Sequence, residues 1–123
     1  MKYALLVFLG GGVGSVLRYW VGKLFQGPLG TFPTGTMTVN IVGSLLIGVL
    51  VGYGLKNGGL SEPQTLLLVT GFCGGFTTFS AFALENQTFL KAGDYTLFFV
   101  YSFGSLILGV AAVLLGLFLS KNF

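Results

Sequence analysis

The chain has 123 residues, 54% of them hydrophobic and only 7% charged, with a net charge of +3. A water-soluble domain carries roughly 25% charged residues, so this chain lacks the polar surface to fold in water, and a mean hydropathy of +0.92 makes the bilayer its natural solvent. With no histidine and a single cysteine, Cys73, neither a disulfide framework nor a zinc centre can form within one chain, and the six scattered cations do not make a nucleic-acid surface.

A helix needs about 20 apolar residues to cross the hydrocarbon core, and four segments meet that requirement. The first is predicted over residues 3–24. Lys2 followed by an apolar run resembles a secretory leader, but no small-x-small cleavage pattern follows and the apolar run continues past Trp20, so a retained span is expected. Arg18 lies about two turns before its end in GGGVGSVLRYW, followed by the belt residues Tyr19 and Trp20. An isolated arginine there can snorkel to the interface or draw an anion into a vestibule, and both readings stand. The glycine run GGGVGS lacks the lysine of a phosphate loop.

A turn-rich loop, QGPLGTFPTG, carries Pro28 and Pro33. The second span is predicted over 36–55 and closes at KNGG. It contains Asn40, an amide that must find partners in hydrocarbon. It either bonds a neighbouring helix or offers the two donors of its NH₂ to an anion. Thr36, Asn40 and Ser44 follow at i, i+4 and i+8 and predict one polar face.

The third span starts at Ser61 and Glu62, with Pro63 in its first turn, and is predicted to run to Leu90. Residues 62–90 would extend about 43 Å as one straight helix, against a core of about 30 Å. A break is expected within TGFCGGFTTFSAF (70–82), at Cys73-Gly74-Gly75 followed by Thr77-Thr78. Backbone groups freed by a break cannot face lipid, so they line a cavity, meet protein or bind an ion. Beyond it, Phe79 and Phe82 are three apart and predicted on one face, which Glu85 and Asn86 continue toward the span's far end. The fourth span, 95–119, places Tyr101, Ser105 and Gly109 at i, i+4 and i+8. Asn40, Phe79, Phe82, Tyr101 and Ser105 together predict a narrow path of donors and aromatic rings.

These segments predict an all-α membrane protein of one domain, residues 1–123, with four transmembrane helices and the third broken near its middle. Small residues at four-residue spacing, such as Gly10 and Gly14, Gly48 and Gly52, and Gly71 and Gly75, predict close helix packing. Four spans put both termini on one side, with Lys2, Lys56 and Lys121 there and Arg18, Lys23 and Lys91 near the other. Orientation normally follows an excess of basic residues. Three against three favours neither, which leaves a weak bias hidden in the span boundaries or insertion in both orientations, with copies paired head to tail. There is no Ser-His or Cys-His pair and no paired carboxylates, so an enzyme is not expected.

The stretches GGGVGSVLRY, GTMTVNIVGSLLIG and GFCGGFTTFSAF, with the YxxxS pattern at Tyr101 and Ser105, resemble the small bacterial fluoride channels of the CrcB/Fluc family over all four spans. That resemblance implies an antiparallel, dual-topology homodimer in the inner (plasma) membrane, exporting cytoplasmic fluoride passively through two pathways, with a structural sodium ion at the dimer centre. Residue by residue, it assigns the pore asparagine to Asn40, the pore phenylalanines to Phe79 and Phe82, the polar track to Tyr101 and Ser105 with Ser80 nearby, and the vestibule arginine to Arg18. The sodium ligands would be the backbone carbonyls of Gly74 and Thr77. This chain reads TTFSAF where the family commonly reads TTFSTF, so Ala81 supplies no hydroxyl to the track. A dual-topology cation exporter is the rival class. It needs a membrane-embedded carboxylate, and the first span has none. A purely structural assembly protein is the third, and polar stripes on three spans argue against it.

Overall fold

The computed structural model describes residues 1–25 and 32–122. The predicted turn around Pro28 lies outside them. Four helical segments are long and apolar enough to cross a membrane: Lys2–Leu24, Thr34–Lys56, Glu62–Ala92 and Tyr95–Ser120. They fall within about two residues of the predicted spans, because the signals that bound them are local. Ser61 Oγ accepts the Gln64 amide at 3.3 Å while Gln64 Oε1 accepts the Ser61 amide at 2.9 Å, a reciprocal cap with Pro63 in the first turn. At the other end of the third span Gly93 takes a left-handed φ of 75°, which only glycine adopts freely. The next residue, Asp94, starts the fourth span by accepting the Leu97 amide at 3.2 Å.

The third span is broken at Thr77-Thr78, the later part of the stretch where the break is predicted. An α-turn, Glu62–Gln64, leads into a π-helix over Thr65–Cys73, then a last α-turn, Gly74–Phe76. The backbone leaves the helix at Thr77, which is extended at φ −89° and ψ 162°, and the helix resumes over Ser80–Ala92. Cys73-Gly74-Gly75 are therefore still helical. The excess length is absorbed twice, first in π-turns, whose i→i+5 bonds spend more residues per turn, and then in the break. The last turn closes because the Cys73 carbonyl accepts both the Thr77 amide at 3.0 Å and the Thr77 hydroxyl at 2.9 Å.

Glycine decides which helices pair. The first span lies along the π-helical half of the third, and the second span along the fourth. Gly10 and Gly14 are buried in the first contact, where a methyl group on Gly14 would overlap the Phe72 carbonyl oxygen. In the second contact a methyl on Gly48 would overlap the Val113 carbonyl, and one on Gly116 the Leu45 carbonyl. Lipid gives helices no hydrophobic reason to associate, so this close backbone approach supplies the packing attraction. The two pairs meet at the break, where the bare Cα of Gly43 makes room for the Thr77 methyl.

A candidate polar path at the helix break

Asn40 and Thr78 form the centre of the site. Asn40 Nδ2 donates to the Thr78 carbonyl at 3.0 Å, and Asn40 Oδ1 accepts the Thr78 amide at 2.8 Å. The side chain replaces the helical partners that the break removes, so the helix-bonding reading of Asn40 is realised, and among the described residues the second N–H of its amide has no partner. Ser44 does not continue a polar face: its hydroxyl donates back to the Asn40 carbonyl at 2.7 Å. Thr78 Oγ1 in turn accepts the Ala81 amide at 3.2 Å and so starts the second half-helix. Ser80, exposed, has its hydroxyl 3.3 Å from that of Thr78. Ala81 contributes only its backbone.

Arg18 reaches the break from the first span. Its Nε donates to the Gly75 carbonyl at 3.0 Å, and Ser15 Oγ approaches the same oxygen at 3.5 Å. The arginine is therefore anchored rather than snorkelling freely. It lines a cavity of about 240 Å³ together with Tyr19, Lys23, Thr36, Thr78 and Ala81. Two cationic side chains thus open onto the same space as the broken backbone.

On the other side of Thr36 stands Glu85. Thr36 Oγ1 donates to Glu85 Oε2 at 2.7 Å and the Tyr101 hydroxyl to Oε1 at 2.7 Å, so one carboxylate ties the second, third and fourth spans together. Glu85 lies toward the far end of the third span, as predicted; its link to the two other spans was not. The missed signal was its charge, since a carboxylate within a span must find donors from other helices. Tyr101 is fully buried. Three rings pack around it: Phe82 at 5.0 Å, Phe32 edge-on at 5.5 Å and Phe89 edge-on at 6.0 Å. Phe79 precedes the second half-helix and is 77% exposed, yet its ring lies 5.9 Å from that of Phe82. Ser105 Oγ is buried and, among the described residues, has no hydrogen-bond partner. The structure thus brings Arg18, Asn40, Phe79, Ser80, Phe82 and Tyr101 around one break and its flank, and leaves a spare hydroxyl at Ser105.

A cation at the break can be tested against the donors present. Among the described residues no group of three His, Cys, Asp or Glu side chains could hold a metal. The Gly75 carbonyl is taken by Arg18 and the Thr78 carbonyl by Asn40. The carbonyls of Gly74 and Thr77 accept no hydrogen bond among the described residues, and Gly74 is exposed. Neutral oxygens without partners at a helix break fit a hard monovalent cation, and a transition metal far less.

Four apolar spans held together by glycine contacts, with the third span broken, define a multi-pass protein of the lipid bilayer. A family model described as "CrcB-like protein, Camphor Resistance (CrcB)" matches residues 5–117. Curated relatives match the whole length. A protein of Azobacteroides pseudotrichonymphae is 46% identical over all of this chain and 99% of its own. One of Gloeothece citriformis is 51% identical over 99% of each chain. One of Phocaeicola vulgatus is 46% identical over 98% of this chain and all of its own. Each carries the name "Fluoride-specific ion channel FluC". The chain belongs to the CrcB family.

Proposed function

We propose that the protein is a fluoride channel that lets cytoplasmic fluoride leave passively across the inner membrane, working as an antiparallel dimer with a pathway on each side. The observation that supports this reading is the gathering of polar groups at the break: Arg18, Lys23 and Thr78 line one cavity and Asn40 clasps Thr78. We take the path to continue past Phe82, whose ring packs on Tyr101, to Ser105, one helical turn further along the fourth span.

Fluoride is small and tightly hydrated, so giving up water is its main barrier. The free N–H of Asn40 and the unpartnered Ser105 hydroxyl can replace part of that shell. Phenyl edges carry partial positive charge and attract an anion weakly. Larger halides would meet a path that Phe82 and Tyr101 hold narrow. Because Glu85 already takes the Thr36 and Tyr101 hydroxyls, an ion passing Tyr101 must compete with the carboxylate for that donor. The two cations of the cavity supply the long-range attraction instead.

The dimer is supported by the three-to-three charge balance and by the carbonyls of exposed Gly74 and half-buried Thr77, which accept no hydrogen bond among the described residues. Two copies related by an axis in the membrane plane would bring two such sets together around one sodium ion. That ion would supply positive charge for the broken backbone and tie the two copies together, with Gly74 and Thr77 holding it. Cysteine at Lys121 in intact cells is expected to be labelled from both sides by a membrane-impermeant reagent. Labelling from one side alone contradicts dual topology.

The aromatic rings provide the test of the pathway. Phe82→Ile keeps apolar bulk but removes the ring quadrupole, whose contacts are worth roughly 0.5–1.5 kcal/mol in ring pairs, so fluoride efflux from proteoliposomes should fall by about two- to tenfold. Phe79→Ile should act in the same direction, while Phe118→Ile, on the lipid face, should not change efflux. Normal efflux in both pore variants would place the pathway elsewhere.

A further inference from the structure

We infer that the outer groove between the ends of the second and fourth spans is a site for an anionic phospholipid. Both spans run in the same direction, so Lys56, the last residue of one, and Lys121, just past the end of the other, lie at one membrane face. Both line a groove of about 590 Å³, more than twice the cavity at the break and within the roughly 300–1,000 Å³ of ligand sites in general. Its walls are Leu55, Leu114, Leu117 and Phe118, three of them exposed. The hydroxyl at its floor is not free. Gly52 lets Ser120 pack against it, and the Ser120 hydroxyl is already given to the Leu117 carbonyl at 2.8 Å.

A ligand for this groove must be apolar along its length and anionic at the lysine end. An acyl chain under a phosphate-bearing headgroup has that form, and the bilayer supplies it. Lysines at helix C-termini also offset the negative end of each helix dipole, which alone would account for one lysine per helix. It does not account for an apolar groove opening between the two. Anionic headgroups gain from each nearby lysine, so the preference over a zwitterionic lipid should be at least about fivefold.

Tryptophan quenching tests this directly. Trp20 is the only tryptophan, on another span, so Trp20→Phe with Phe118→Trp puts a single reporter in the groove; Leu114→Trp is the second reporter if the first fails to insert. The protein is reconstituted in mixed phosphatidylglycerol and phosphatidylcholine vesicles, with bromine on the chains of one lipid at a time. Brominated phosphatidylglycerol is expected to quench at several-fold lower mole fraction. Lys56→Gln with Lys121→Gln should abolish the difference, and Lys56→Arg with Lys121→Arg should keep it. Equal quenching by both lipids would make the contact non-selective. Quenching by neither would mean that protein, such as a second copy, covers the groove. Either result, or a preference that survives the glutamine pair, overturns the proposal.

Discussion

Asn40→Leu is expected to abolish fluoride efflux and to destabilise the protein at the same time. Leucine keeps the volume but deletes both bonds to Thr78. The Thr78 amide and carbonyl would then be unpaired inside the membrane protein, where each orphaned group costs about 1–3 kcal/mol. Because Thr78 also starts the second half-helix through Ala81, the disturbance spreads to Phe82 and Glu85. Efflux should drop by at least about a hundredfold, and the melting temperature in detergent should fall with it. Loss of efflux with unchanged stability would mean that Asn40 acts on the ion and that the clasp is energetically idle. Normal efflux and normal stability would remove Asn40 from both roles.

Gly75→Val should prevent folding outright. A side chain on Gly75 would overlap the backbone of Gly11, where no rotamer change can relieve it, and would displace the carbonyl that holds Arg18. Overpacking of side chains costs about 1–3 kcal/mol, and overlap with backbone should exceed that. The neighbouring Gly74→Val makes the contrast, since its nearest obstacle is the Val69 carbonyl at 3.9 Å. That variant should fold as a single chain, so any loss of dimer or flux in it reports on the Gly74 carbonyl. Folded, monodisperse Gly75→Val at wild-type yield would contradict the packing of the first span on the third.

The four spans were legible because hydrophobic length and helix-start residues act locally: Ser61 and Pro63 stand in the sequence as they act in the structure. The break was legible as an excess of residues. Its place at Thr77-Thr78 was legible too, but not what holds it open: Asn40, 38 residues away, takes the Thr78 amide out of the helical ladder. The π-helix over Thr65–Cys73 left no mark in the apolar pattern, which reads the same for either winding. The candidate site was legible in its residue types and only partly in their partners. Asn40 and Arg18 were singled out as polar groups in an apolar span, but each spends a donor on backbone at the break. Ser44, equally well placed by spacing, bonds its own helix. Glu85 shows the limit from the other side. Its link to Thr36 and Tyr101 joins three spans, and no spacing along a single helix encodes a contact of that kind.

The most direct measurement is halide release from proteoliposomes of the purified protein, loaded with fluoride in one preparation and chloride in another, with potassium movement supplied by an ionophore. A fluoride electrode should register rapid release, while chloride stays inside until detergent is added, and Asn40→Leu vesicles should hold both ions. Fluoride release no faster than from protein-free vesicles, or chloride release at the same rate as fluoride, would contradict a fluoride-selective pathway along the broken third span.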